Sequence, residues 1–307
     1  MTTARPATGI QYELSSGTAT ARVGSVAAVL RDFCVDGVHY VETSAELDPT
    51  PAGCGIVLVP WPNRIENAVW DHHGTAMKLD ISDPANHGAI HGLLRNTSYE
   101  PVDVGDSAVT LGTTIYPQHG YPFTLDTFVT YRLAADGLHV THGLVNVGAE
   151  PAPFGVGAHP YLRVGDVPIA DLTIHLDAAE YFLLNERKVP TGTATVDGTP
   201  FDLREPARVG DLDLDTGYRG LTVRGDRHEA TLTAPDGSGL ILWAEDAFAF
   251  FQVFTPRNFP GRELAVAVEP MTCPANAFNS GEGLRWLDPG ETFEASWGLR
   301  PFPAPLT

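Results

Sequence analysis

Four short segments of the chain concentrate side chains that can move protons or hold oxygen. Pro60-Trp61-Pro62-Asn63-Arg64-Ile65 sets an arginine beside aromatic and proline residues at the end of an apolar run. His87-Gly88-Ala89-Ile90-His91-Gly92 and Phe154-Gly155-Val156-Gly157-Ala158-His159-Pro160-Tyr161 carry histidines among glycines. Ala267-Val268-Glu269-Pro270-Met271-Thr272 leads into Asn276-Ala277-Phe278-Asn279. Together they offer one carboxylate, two or three histidines and an arginine. That set suits general acid–base chemistry on a neutral, hydroxyl-rich ligand. A glutamate takes a proton, a histidine gives one, and an arginine holds an oxygen that gains charge.

Each segment also has a plainer reading. Arg64 can pair with an acidic neighbour, a histidine in a glycine-rich loop is commonly structural or exposed, and Glu269 can be a surface residue ending a Leu264–Val268 strand. Other chemistries find less support. His87 and His91 are spaced i, i+4, which suits zinc on one helical face, but Gly88 and Gly92 argue against a helix and no HExxH glutamate follows. No metal site is expected. There is no G-x-S-x-G elbow, GxGxxG or P-loop, so neither a serine nucleophile nor a nucleotide cofactor has a motif behind it. Cys34, Cys54 and Cys273 are odd in number and irregularly spaced, which reads as reduced, small buried hydrophobes.

The 307 residues are 43% hydrophobic and 19% charged, a composition that can bury a sizeable core. Nineteen Lys and Arg stand against 38 Asp and Glu, a formal charge of −19. Such a surface repels phosphate backbones and anionic lipid headgroups, so neither nucleic acid nor membrane is an expected partner. The first ten residues hold one arginine and no apolar run, and no stretch approaches the roughly 18 apolar residues of a spanning helix. A cytoplasmic location is expected.

The elements that must position these residues read as strands. Asp-Gly, a strong hairpin signal, occurs at Asp36, Asp136, Asp197 and Asp236. Before Asp136, Leu125, Thr127, Val129, Tyr131 and Leu133 share one face; after it, Leu138, Val140, His142 and Leu144 do the same. Period two on both sides of a tight turn predicts an antiparallel pair. Ala230–Thr233 and Leu240–Trp243 repeat the device around Asp236, and Ile56–Pro60, Val109–Ile115, Leu172–Leu176 and Leu264–Val268 are further strand-like runs. Pro49–Pro51 and Pro151–Pro153 read as loop corners. No helical periodicity is sustained over roughly 12 positions, so helices should be few and short. The expectation is an all-β fold of two packed sheets, as one domain over residues 1–307, with a two-domain β protein as the alternative.

The four segments, in this order, resemble the aldose 1-epimerase (galactose mutarotase) family, and Leu287-Asp288-Pro289-Gly290-Glu291 extends the likeness over nearly the whole chain. The resemblance implies a galactose mutarotase-like β-supersandwich and the interconversion of α and β anomers of a free aldose. By position, Glu269 resembles the family's general base, taking the proton of the anomeric O1 hydroxyl, and His159 the general acid that protonates the ring oxygen. The ring opens, C1 turns about the C1–C2 bond, and closure gives the other anomer. His91 matches a second histidine near the ring oxygen, Arg64 a sugar-binding arginine, and Asp215, in Leu214-Asp215-Thr216-Gly217-Tyr218, an aspartate that binds sugar hydroxyls. The resemblance implies no cofactor or metal.

Ala158-His159-Pro160-Tyr161-Leu162 departs from the Asn-His-x-Tyr-Phe of the galactose enzymes, and Glu269-Pro270-Met271-Thr272-Cys273-Pro274 is closer to a divergent bacterial branch that includes a sulfoquinovose mutarotase. Arg95 and Arg163 lie near the two histidine motifs, where an anionic sugar would meet them. Two other functions stay open at this level. A non-catalytic carbohydrate-binding or sensor protein on the same scaffold needs no proton relay. The other is a glycoside-cleaving or sugar-isomerising enzyme with a related sandwich; glycosidases usually need a flanking pair of carboxylates, and only Glu269 sits in a strong motif.

Overall fold

The Asp136-Gly137 turn closes a hairpin of two ten-residue strands, Leu125–Ala134 and Gly137–Asn146, paired in register from Leu125 opposite Asn146 to Ala134 opposite Gly137. The alternation read from the sequence is a real burial pattern: Leu125, Thr127, Val129, Tyr131 and Leu133 are buried, as are Leu138, Val140, His142 and Leu144. This hairpin lies within a nine-stranded antiparallel sheet that also holds Ala108–Ile115, the Arg227–Thr233/Gly239–Glu245 hairpin around Asp236, and Thr292–Phe302. The structure is a computed structural model and describes residues 4–305.

A seven-stranded antiparallel sheet runs in the order Pro190–Thr195, Ala178–Leu184, Asp215–Leu221, Phe250–Phe254, Ala267–Met271, Gly157–Ala158, Val57–Leu58. Its inner face sends Tyr218, Phe251, Val253 and Val268 into one hydrophobic cluster with Leu232, Leu242 and Trp297 of the nine-stranded sheet. The two large sheets therefore share a core, as expected for a sandwich. Smaller elements complete the fold: a four-stranded sheet beginning at Gln11 and three two-stranded pieces. Among the described residues the helical content is one four-residue turn, Ala277–Ser280, and four 3₁₀ turns. No helix among them is long and apolar enough to cross a membrane.

Four local expectations are corrected. Asp197-Gly198 closes no hairpin; it comes after the Pro190–Thr195 strand, whose partner is Ala178–Leu184 on the side before it. The run at Leu264–Val268 is displaced: the strand is Ala267–Met271, so Glu269 is an interior strand residue only 2% exposed, not a strand-end surface group. Pro270 hides this in the sequence, because proline has no N–H for a ladder and rarely sits inside a sheet. The run at Ile56–Pro60 contributes only Val57–Leu58. Pro151–Pro153 is not merely a corner, since Ala152–Phe154 pairs with Arg285–Leu287; a two-stranded edge tolerates the proline at Pro153.

Candidate active site

The outer face of the seven-stranded sheet collects the candidate side chains. Gln252 stands opposite Glu269 on one side and Gly217 on the other, and period two places Asp215 on the same face. His159 comes directly after Gly157–Ala158, the next strand in the sheet. Arg64 and His91 arrive from outside it, on the short pair Arg64–Ile65 and Ala89–Ile90. His91, Arg64, Asp215, His159 and Glu269 line one cavity of about 310 Å³, joined by Arg95.

The loops that deliver them are locally strained. Ala52, Asn63 and His91, all in the cavity wall, have φ of 50°, 53° and 61°, the left-handed region that side chains other than glycine rarely occupy. Gly92 comes next at φ 72°, and a Cβ there would lie 1.9 Å from the Val59 carbonyl oxygen, so this turn needs glycine. His87 is also left-handed but exposed, apart from the cavity, which separates it from His91.

At the centre, His159 Nε2 lies 3.4 Å from Glu269 Oε1, with side chains 5% and 3% exposed. The His91 ring meets His159 edge-on at 5.2 Å between centroids. Burial pushes Glu269 well above the ordinary carboxylate range, reinforced by Asp215 and opposed by Arg64. Burial likewise lowers His159 to about 4 and His91 well below its usual value, with His159, Arg64 and Arg95 adding to the effect on His91. The pair thus favours a neutral imidazole beside a protonated carboxyl, the state without buried charge. Glu269 Oε2 and His159 Nδ1 are buried without a bond to any described protein group.

Donor atoms of His91, His159 and Glu269 lie within 4.8 Å of one another, a set that could in geometry face a metal ion. The tautomer points elsewhere. The Asn63 backbone N–H donates to His91 Nδ1 at 3.3 Å, so the neutral ring carries its proton at Nε2 and acts as a hydrogen-bond donor rather than a ligand.

Arg64 pairs with an acidic neighbour and also lines the cavity. Its Nε donates to Asp83 at 2.7 Å, yet the side chain lines the cavity, so the ion pair aims it. Burial alone would raise Asp83, but hydrogen bonds from Arg64 and Asn86 outweigh it and hold the carboxyl below its usual range. Asp215 accepts from Gln252 Nε2 at 2.8 Å and lies 3.4 Å from Lys188 Nζ at the rim. Its neighbours Asp211 and Asp213 are exposed. Arg95 reaches the cavity and has no carboxylate partner among the described residues, whereas Arg163 is engaged elsewhere, with Asp166, Glu42 and the Gly165 carbonyl. Gln252, Asp83 and Lys188 are not legible in the sequence as site residues, because no motif surrounds them.

The family model for aldose 1-epimerase matches residues 11–300. The chain is 32% identical over 284 residues to the uncharacterized protein YihR of Escherichia coli K12, covering 92% of this chain and 90% of that one. It is 26% identical over 200 residues to human galactose mutarotase, covering 61% of this chain and 58% of that enzyme. Among solved structures it superposes on a GalM/aldose epimerase homologue from C. elegans with a TM-score of 0.84 at 18% identity, covering 95% and 99% of the two chains. A putative aldose 1-epimerase from Escherichia coli K12 gives 0.82 at 21% identity, with the same coverage. A shared fold and a family match over nearly the whole length lead to one conclusion: the chain belongs to the aldose 1-epimerase family.

Proposed function

We propose that the protein is a mutarotase that interconverts the α and β anomers of a free aldose, with Glu269 and His159 as the proton-transferring pair. The observation that carries this reading is the buried His159–Glu269 contact at 3.4 Å in the cavity wall. With one proton between them, the two groups have two tautomers. In the charged one, Glu269 is a carboxylate and His159 an imidazolium. Glu269 takes the O1 proton, His159 gives its proton to the ring oxygen, and the C1–O5 bond breaks to leave an aldehyde and a free C5 hydroxyl. The pair is then uncharged, the form burial favours. After C1 turns, the carboxyl returns its proton to O1 as O5 attacks C1, and His159 takes the O5 proton. The catalyst ends as it began, with no net proton gained or lost.

Arg64, aimed by Asp83, and the His91 Nε2 proton support oxygens that gain charge as the ring opens. Asp215, held by Gln252, suits sugar hydroxyls. No cofactor enters this scheme. A non-catalytic sugar sensor would need such hydroxyl contacts but would gain nothing from a histidine–carboxyl pair kept out of water.

Saturation-transfer NMR of the anomeric protons tests the reading. The panel is galactose, glucose, xylose, arabinose, a hexose 6-phosphate and sulfoquinovose, so that the unpaired Arg95 meets both neutral and anionic sugars. Accelerated exchange of at least one sugar, with no new compound on chromatography, is the expected result. Binding of a sugar without acceleration would instead establish a sensor, and a new product would establish a different reaction.

A further inference from the structure

The loop over residues 255–266, which joins the strands bearing Gln252 and Glu269, also reaches the far side of His159. Phe259, 4% exposed, packs on Tyr161 with ring centroids 4.7 Å apart. Tyr161 is itself stacked on His159, at 5.1 Å and an interplanar angle of 20°. These contacts make a continuous aromatic column ending at the imidazole. Phe259 and Tyr161 belong to a small hydrophobic cluster, with Cys54, Ala265 and Ala267, separate from the main core.

The loop is fastened by a buried charge. Arg262 Nε and Nη2 each lie 3.1 Å from Glu42 Oε2, and Glu42 is 3% exposed while Arg262 is 36% exposed. The Glu42 backbone N–H in turn donates to the Tyr161 carbonyl at 2.9 Å, so the anchored carboxylate and the stacked ring sit on directly bonded segments. At its other end the loop is tied to the segment before Asp215: Leu214 N–H donates to Thr255 Oγ1 at 2.8 Å and Arg257 to the Leu212 carbonyl at 3.1 Å.

We infer that Phe259, held by the Arg262–Glu42 ion pair, is a positioning residue that fixes the Tyr161–His159 stack and so the reach of His159 toward Glu269. This rests on the reading of His159 as the acid. The physical reason is that an imidazole must keep its orientation within a few tenths of an ångström and some ten degrees to share a proton productively. His159 has no protein bond at Nδ1 to hold it. A ring pressed flat against it supplies the restraint and keeps water from that face. The charged and titratable groups around His159 are Glu269, His91, Asp215, Arg64, Arg95 and Tyr161.

The experiment compares wild type with Phe259→Leu, Arg262→Ala and Arg262→Lys by anomer-exchange kinetics and thermal melting. A parallel NMR titration follows the His159 imidazole in the free proteins. Phe259→Leu and Arg262→Ala should lower kcat about tenfold with KM within about twofold, and Arg262→Lys should recover most of the loss. In the titration, the His159 midpoint should rise toward the ordinary histidine value in Phe259→Leu as water reaches the ring. Unchanged kcat and an unmoved midpoint, with only a lower melting temperature, would make the stack a plain packing contact and overturn the inference. A raised KM at constant kcat would overturn it too. If wild type accelerates no sugar, the functional reading fails, while the titration still decides whether Phe259 controls the environment of His159.

Discussion

Glu269 shows what burying a carboxyl group costs. Its folded-state proton affinity is raised by burial, so the folded protein binds a proton more tightly than the unfolded chain. Stability is therefore greatest below the unfolded value near 4.5 and is lost as pH rises toward the folded one. Glu269→Gln, which cannot ionise, should melt at a higher temperature than wild type at pH 7, with the difference shrinking as pH falls toward about 4.5 and levelling off below it. Differential scanning calorimetry across that range checks it; a variant less stable at every pH would remove the desolvation argument. In the proposed mechanism the same pair sets the activity profile. A second proton reaches it only as His159 titrates near 4, so the acid-side fall in kcat/KM should come below about pH 5. An inflection at the ordinary histidine value would place a different acid in the site. From sequence, Glu269, His159, His91 and Arg64 stand out because each sits in a compact motif. The burial of Glu269 does not, since Pro270 makes the strand look finished at Val268.

At the scale of elements, the seven-stranded sheet is a two-faced device. Phe251 and Val253 enter the main core, while Gln252 faces the cavity between Phe250 and Phe254. Apolar side chains on both faces erase the alternation that makes the Asp136 hairpin so readable, which is why Gln252 escapes sequence analysis. Its bond to Asp215 has a measurable consequence. Gln252→Ala frees the carboxylate from a contact worth about 1 kcal/mol, so KM should rise about fivefold with kcat nearly unchanged. Equal losses in kcat and kcat/KM would instead put Gln252 in the proton-transfer step. Asp197-Gly198 carries the complementary lesson. A dipeptide specifies a tight turn, but a hairpin also needs a partner strand on the far side of it. Beyond Asp197 the chain passes instead to Ala207–Arg208 in the other large sheet.

For the molecule as a whole, the all-β architecture is legible in short alternating runs and abundant turn residues, whereas the order of strands in the two sheets rests on long-range pairings no local pattern encodes. The proposal that residues 1–307 form one domain has a thermal test: a single calorimetric transition with equal van't Hoff and calorimetric enthalpies, against two resolved transitions for two domains. Buried histidines should make that transition acid-sensitive. His142, which accepts from Trp297 Nε1 at 2.9 Å, is lowered by burial to about 4. Between the unfolded value of 6.5 and about 4, the unfolded chain binds more protons, so stability falls as pH falls through that window.

The most direct test of the central claim is anomer exchange by saturation-transfer NMR on the best sugar of the panel, wild type against Glu269→Gln, with sugar affinity measured on both. The expected result is acceleration by wild type, a loss of about 10³-fold or more in the variant, and affinity within a few-fold of wild type. Wild-type turnover by Glu269→Gln would contradict the account, because no other carboxyl group in the cavity stands within proton-sharing distance of His159 among the described residues.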